Sequence, residues 1–454
     1  VDERQLAEQI CAKLREAGYQ ALFTGGCVRD LLLKRNPVDY DVATDARPEE
    51  VQRLFPESIA VGAQFGVVIV TEEGLQVEVA TFRSDLGYAD GRHPVAVKFS
   101  ATPEEDARRR DFTINGLMMN PRDGGVLDFV GGQEDLVAGI VRAIGDADLR
   151  FDEDKLRMIR AVRFAARFAY VIESATREAI VKRAPEIVQV SQERLRDELT
   201  KMLTEGAARR AFELLDETGL LREVLPEISR MKGVAQPPQF HPEGDVWIHT
   251  LLMLGQLPSG CSPTLAWGVL LHDVGKPPTF KPPSGPNDRI RFDEHVEVGT
   301  RMAEAICRRL RFSNDDTEQI ALLVANHLRF KDVAQMRAST LKRFVRLPRF
   351  EEHLELHRLD CLSSHRDMTC YDFTQRFLAD TPPEVVRPPR LLTGEDLKEM
   401  GYAPGPAFKE ILHAVEDAQL EGKIETHQQA VEMVRDTFPK RGLAISEGRN
   451  ASTF

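Results

Sequence analysis

The sequence predicts an α+β chain in which a head built on a mixed sheet is followed by a long, wholly helical body. Three observations predict it. The first ~140 residues alternate helical stretches with short β-branched runs. From Glu153 to about residue 380 almost every segment repeats its apolar positions at helical spacing. The length of 454 residues also exceeds what one ordinary hydrophobic core serves.

Taken in order, residues 1–17 carry helical periodicity and 21–24 form a short apolar strand. Residues 27–33 begin a helix directly after Gly25-Gly26. The runs 67–70 and 75–80 are strands separated by Glu73-Gly74, a hairpin signal. Residues 153–168 read as one arginine-rich helix. Proline-rich punctuation falls at 236–242, 276–286 and 381–390, the last a linker to a small helical tail over 393–438. Residues 439–454 are polar and expected to be disordered. There is no internal repeat. The expected parts are a head (1–145), a neck (146–205), a body (206–380) and a tail with its polar end (381–454).

Composition narrows the function classes. A chain 42% hydrophobic and 29% charged is that of a globular protein. No apolar run approaches the roughly 20 residues that span a bilayer, so no membrane partner is expected, and residues 1–14 lack a secretory apolar stretch. Six cysteines without a CxxC pair fit a reducing compartment, and the cytoplasm is the expected location. The net charge of −12 speaks against an evenly basic surface. Basic residues nevertheless cluster, as in Arg150, Lys155, Arg157, Arg160, Arg163 and Arg167.

Two glycines between a strand and a helix suit a triphosphate. Glycine lets the backbone approach the phosphates, the helix start presents free N–H groups, and Arg29 adds charge. A plain tight turn is the alternative. Asp39-Tyr40-Asp41 puts two carboxylates on one side of an extended segment, where they could share two Mg²⁺ ions. A solvated DxD loop is the bland counterpart. Glu78, between Val77 and Val79, is a third carboxylate candidate or an edge-strand charge. Arg109 and Arg110 offer planar forks for phosphate or ribose oxygens, and Asp111 an acceptor for a ribose hydroxyl. In the neck, Asp154, Arg157, Arg160 and Arg163 recur every third residue and fan round one side of a helix. A carboxylate accepts from the exocyclic amines of cytosine and adenine, and a guanidinium donates to ring nitrogen and carbonyl oxygen. An Asp154/Arg157 pair therefore admits C and A over U and G, whereas an ion-pair-laced helix would use the same residues structurally.

The run FTGGCVRDLLL, then DYDVAT, EEDARRRDFTINGL, FVGGQEDL, RFDEDKLRMIRAVRF and QERLRDELTKML, resembles the class II tRNA nucleotidyltransferase and bacterial poly(A) polymerase family. The resemblance covers about the first 205 residues in order. It implies a polymerase-β-like head that transfers nucleoside monophosphate to an RNA 3′ hydroxyl. Asp39, Asp41 and Arg110 would be catalytic, with Mg²⁺ on the two aspartates. Gly25, Gly26, Arg29, Arg109, Arg110, Asp111, Asp154, Arg157, Arg160 and Arg163 would bind the nucleotide. Residues 81–99 resemble the flexible loop of CCA-adding and A-adding enzymes, and the tail resembles that of HD-containing CCA-adding enzymes. The implied partners are tRNA, ATP and CTP. Gly116 departs from the family's usual alanine and could relax packing beneath the site.

In the body, His249, His272-Asp273 and Asp360 lie on apolar helical stretches, an order that resembles the HD phosphohydrolase superfamily. His295 and His327 fall where extended HD sites supply further ligands. Imidazole and carboxylate together suit a transition metal such as Ni²⁺, Mn²⁺ or Co²⁺. The basic residues Arg337, Lys342, Arg343, Arg346 and Arg349, with no acid among them, are expected to track RNA or to form a solvated face. Besides a CCA- or A-adding enzyme, the residues leave open a poly(A) polymerase, an HD phosphohydrolase acting on RNA ends and a non-catalytic RNA binder.

Overall fold

In the computed structural model the described residues are 2–61, 66–88, 94–99 and 102–439. The polar end expected to be disordered therefore lies, but for Pro439, outside them, as does the tip of the 81–99 loop. The chain divides into two compact units, 1–324 and 325–454. The first holds the head, the neck and the opening of the body, and the division falls inside the helix Asn314–Asn326.

The strands of the head are β1 (Ala21–Thr24), β2 (Asp41–Thr44), β3 (Ile59–Ala60), β4 (Val67–Glu72), β5 (Leu75–Thr81), β6 (Arg83–Tyr88), β7 (Pro94–Phe99), β8 (Met118–Met119) and β9 (Val126–Leu127), and a short parallel pair, β10 (Ile140–Val141) and β11 (Val171–Ile172), interrupts the expected all-helical neck. Seven form one sheet in the order β3-β4-β5-β2-β1-β8-β9. Only β2 and β5 run parallel within it, so the sheet is mixed as expected. The β4–β5 hairpin turns at Glu73 (φ 49°) and Gly74 (φ 84°), the left-handed pair that suits the twist of the strands. β6 and β7 form a separate antiparallel hairpin from the 81–99 segment.

Strand alternation assigns the two sheet faces. Phe23, Val42, Val77 and Val79 pack under the helix Glu3–Glu16, whose Leu6, Ala7, Ile10, Cys11 and Leu14 recur at helical spacing. Leu22, Ala43 and Met118 belong to the other core, with Phe82 and Ala107. In register across the strands, Thr24 lies beside Asp41, and Asp41 beside Glu78. By parity the two carboxylates share the face away from the Glu3–Glu16 helix.

One expectation needs correcting. Residues 153–168 are not one helix: Ala147–Glu153 ends at Asp154, which is extended (φ −150°, ψ 107°), and Leu156–Phe168 starts after it. The Asp154 carboxylate accepts from the Leu156 N–H at 3.0 Å, so the short polar side chain competes with helix continuation.

The second unit is helical. Phe330, Val333, Leu341, Phe344, Phe350 and Leu354 form one core. The tail helices Gly394–Glu399, Pro406–Leu420 and His427–Thr437 form another around Leu397, Ile411, Val415 and Val434.

Candidate active site

The turn after β1 places Gly25 at φ 71°, a conformation that favours glycine, as the N-cap of the helix Gly26–Leu32. A Cβ there would lie 3.0 Å from Arg110 Nη1 and 3.9 Å from Asp41 Oδ2, so the missing side chain is what admits both groups. Asp41 opens β2, while Asp39 sits exposed just before the strand rather than within it. Burial, then Glu78, then Asp39 push the Asp41 carboxyl up to about 6, against the pull of Arg110. Carboxylates that crowd one another in this way fit divalent cations, which would relieve the repulsion.

Asp39, Asp41 and the two glycines line a cavity of about 870 Å³ together with Arg29, Arg109, Arg110, Asp111, Asp154, Arg157, Arg160 and Arg163. The head and neck residues that the resemblance assigns to catalysis and nucleotide binding thus meet in one place, whereas Glu78 lines a smaller cavity with Thr24, Asp41, Arg109 and Arg110. Nine basic side chains line it against six acidic ones, although the chain as a whole is acidic. The local surplus suits an anion.

The arginines are held by specific partners. Arg29 is 4% exposed; it donates to Asn115 Oδ1 at 2.6 Å and to Asp30 at 2.8 Å. Its guanidinium lies 4.6 Å from the Phe168 ring centre and 5.3 Å from that of Phe164. Arg109 and Arg110 both pair with buried Asp106, and although burial pushes that carboxyl up, Arg110 and Arg109 hold it below the usual range. The Arg110 Nε is buried without a hydrogen-bond partner among the described residues. Asp111 accepts from Arg160 at 2.9 Å and from Asn115 at 3.1 Å. Burial raises its carboxyl, but Arg160 and Asn115 prevail and bring it to about 2.

Asp154 and Arg157, read as the base-edge pair, are each held by other residues. Asp154 takes a two-pronged ion pair from Arg194, at 2.6 and 3.2 Å. Arg157 donates to Glu153 at 2.6 Å and to the Arg109 carbonyl at 3.3 Å. Arg163 meets Glu198 at 2.6 Å and Glu205 at 3.1 Å. Arg194, Glu198 and Glu205, which the motif reading missed, lie on or just beyond the helix Gln192–Thr204 at helical spacing. Their signal was the charge row opposite the neck arginines. Gly116 does not loosen this site: a Cβ would meet Val130 Cγ2 at 2.8 Å and Ile144 Cδ1 at 3.2 Å, so these side chains fill the space alanine would take.

A second cluster lies in the first unit. His249, on the helix Val246–Leu254, is fully buried, and its ring centre is 5.4 Å from that of His272. His272 Nδ1 lies 2.7 Å from the Val269 carbonyl and His295 Nδ1 2.8 Å from the Phe292 carbonyl. A carbonyl only accepts, so Nδ1 donates in both, and in the neutral ring Nε2 is then the nitrogen that carries the lone pair. Asp273 Oδ2 is 3.1 Å from His272 Nε2 and 2.8 Å from Lys276 Nζ, and its Oδ1 is 3.9 Å from His295 Nε2. Neutral imidazoles presenting Nε2 beside a carboxylate fit a transition-metal ion. His327 and Asp360 belong to the second unit; His327 is buried and Asp360, on the helix Phe350–Ser363, is partly buried.

The basic stretch of the second unit is largely engaged inside that unit. Arg343 pairs with Glu416 at 2.7 Å and with Asp417, Arg346 with Glu416 at 2.9 Å, and Lys342 donates to the Leu420 carbonyl at 2.8 Å. Arg337 is exposed, and Arg349 (φ 47°) starts the helix Phe350–Ser363.

Residues 21–142 match the poly A polymerase head domain, 170–232 the probable RNA and SrmB-binding site of polymerase A, and 248–362 the HD domain. The CCA-adding enzyme of Geobacillus thermodenitrificans is 45% identical over 216 residues, which are 48% of this chain and 53% of that protein. The chain thus spans about half the length of the curated relatives it matches. Over 96% of this chain and 98% of the other, the structure resembles the Bacillus stearothermophilus CCA-adding enzyme in complex with CTP, with a TM-score of 0.69 and 27% identity. The Thermotoga maritima CCA-adding enzyme complexed with tRNA shares the fold over 96% of both chains, with a TM-score of 0.56 and 20% identity. Segments that match the poly A polymerase head, its RNA-binding region and the HD domain thus follow one another along the chain, and its fold is similar to that of CCA-adding enzymes.

Proposed function

We propose that the chain adds nucleotides from CTP and ATP to the 3′ end of tRNA, completing CCA or its terminal A. The observation that carries this reading is the single basic cavity holding the Gly25-Gly26 turn, the Asp39/Asp41 pair and the neck arginines. The names of the relatives and the CTP and tRNA complexes of similar enzymes support it.

Asp39 and Asp41 would hold Mg²⁺ ions, which when bound supply activation of the attacking hydroxyl and charge relief for the departing pyrophosphate. The Gly25-Gly26 backbone and the helix start receive the triphosphate. Arg110, with its buried Nε lacking a partner, donates to phosphate, and Arg109 supports it through their shared Asp106. Asp111 is kept ionised by Arg160 and can accept a ribose hydroxyl. Arg194 holds the Asp154 carboxylate in one orientation, from which it and Arg157 read the base edge. Arg160 and Arg163 line the same wall.

Incubation with labelled CTP or ATP, Mg²⁺ and tRNAs ending before CCA, at C or at CC is the decisive experiment. Extension that stops at CCA on all three acceptors marks a CCA-adding enzyme, and extension only after CC marks an A-adding enzyme. Unlimited A addition to unrelated RNA would establish a poly(A) polymerase instead, and no addition at all would remove the reading.

A second activity is favoured by the histidine cluster, whose rings are oriented through Nδ1 beside the Asp273 carboxylate. We assign it as an HD centre of His249, His272 and Asp273, hydrolysing phosphoesters at RNA ends with Ni²⁺, Mn²⁺ or Co²⁺. The free state of all six cysteines supports the cytoplasm as the place of work. Among the described residues no helix is long and apolar enough to cross a membrane.

A further inference from the structure

The segment before His249 was read from sequence only as proline-rich punctuation, yet it contributes two polar side chains to the histidine cluster. Glu243 is 8% exposed at its side chain, and its Oε1 lies 2.6 Å from His249 Nδ1 and 2.9 Å from His241 Nδ1. A carboxylate oxygen this close to two ring nitrogens accepts from both, so both imidazoles donate through Nδ1, and in the neutral ring Nε2 then carries the lone pair. His241 thereby takes the same tautomer as His249, His272 and His295.

Ring spacing points the same way. A metal–nitrogen bond of about 2.1 Å puts ring centres on adjacent corners of one ion roughly 4.6 Å apart at a right angle and roughly 5.3 Å apart at the tetrahedral angle. The centres of His241 and His249 are 5.0 Å apart with the planes inclined at 76°, within that span; those of His249 and His272 are 5.4 Å apart at 64°, at its upper edge.

We propose that His241 is a further metal ligand of the HD centre, and that Glu243 positions His241 and His249 together by holding both Nδ1–H groups on one oxygen. The inference rests on the reading of this cluster as a metal site. Glu243 itself is a positioning residue, the carboxylate behind the histidines.

Cobalt(II) titration of the full chain carrying Asp39→Ala and Asp41→Ala, followed by visible absorption and equilibrium binding, tests it without competition from the head. The parent binds Co²⁺, and His272→Ala with Asp273→Ala abolishes that binding. Glu243→Ala weakens binding about 10- to 100-fold. Glu243→Gln weakens it less, because one amide oxygen still accepts. His241→Ala weakens it and alters the absorption band through loss of an imidazole. If Glu243→Ala lowers the melting temperature of the metal-free chain, Glu243→Gln at unchanged melting temperature carries the comparison. Affinities and spectra like the parent's in the Glu243 and His241 variants overturn the proposal while the HD centre stands. Binding that is absent in the parent, or indifferent to the His272/Asp273 change, overturns the HD centre and the proposal with it.

Discussion

In the cavity between head and neck, charged groups are satisfied by charges: Arg160 by Asp111, Arg163 by Glu198 and Glu205, Arg194 by Asp154. Around His249 the histidines are oriented instead by carbonyl oxygens and one shared carboxylate. The difference separates two kinds of ligand. A surplus of guanidinium groups, each braced by an acid, receives an anion without reorganising, because the donors are already aimed. Imidazoles braced through Nδ1 present lone pairs, which no anion uses and a cation does. One chain therefore holds two preorganised sites of opposite preference.

The largest effect should come from the one place where the head also holds acids for cations. Asp39→Ala or Asp41→Ala should cut nucleotide addition by about a thousandfold, some 4 kcal/mol in barrier, while Co²⁺ binding at the histidines persists. Near-normal addition at saturating Mg²⁺ would break the assignment. Asp154→Ala should shift the preference for CTP and ATP over UTP and GTP by about five- to hundredfold, equivalent to ~1–3 kcal/mol. The carboxylate's repulsion from a base carbonyl disappears with it. Arg194→Ala, which only releases the clamp, should move the same ratio less. Selectivity unchanged in both variants would mean that the base is read elsewhere.

A smaller effect, on stability, sharpens the contrast between ion-paired and neutral groups. Asp111 sits at about 2, below its ordinary 3.8, so its ion pairs stabilise the fold above pH ~4 and that contribution is lost as pH falls toward 2. Asp111→Asn should cost about 2 kcal/mol at neutral pH by denaturant unfolding, with the gap closing between pH ~4 and ~2. A gap independent of pH would assign the loss to packing. The smallest effect concerns the second unit. Neutralising Arg337 and Arg349 should flatten the salt dependence of tRNA binding by about 1–2 units, whereas Arg343→Ala should chiefly destabilise that unit through its Glu416 and Asp417 pairs. Equal salt slopes in wild type and the Arg337/Arg349 variant would leave that face without an RNA role.

What the sequence made legible was local. The Glu73-Gly74 turn, the strands beside it and the Gly25-Gly26 start of a helix each carry their signal within a few residues. The head and neck residues that meet in the cavity were legible through an ordered series of motifs. The break at Asp154 was not, because the apolar repeat runs straight through it and only the side-chain bond to Leu156 N–H interrupts the helix. Partners separated by long stretches of chain were hidden for the same reason: Arg194 lies 40 residues from Asp154, and Glu416 lies 73 from Arg343. Glu243 was masked by the prolines around it, whose turn-forming signal says nothing of where a side chain points.

The buried Arg29 bears on how the chain can be taken apart. A fragment ending near residue 145 would keep the complete seven-stranded sheet and both Asp39 and Asp41, yet strip Arg29 of its Phe164 and Phe168 faces and Asp111 of its Arg160 partner. An arginine bared of its apolar cover and an acid bared of its counter-charge each cost stability on their own. Expression of residues 1–145 alone should thus give an aggregating product, and the shortest soluble piece must run at least through the helix Gln192–Thr204, which anchors the neck. The unit inherited in sequence motifs is smaller than the unit that folds.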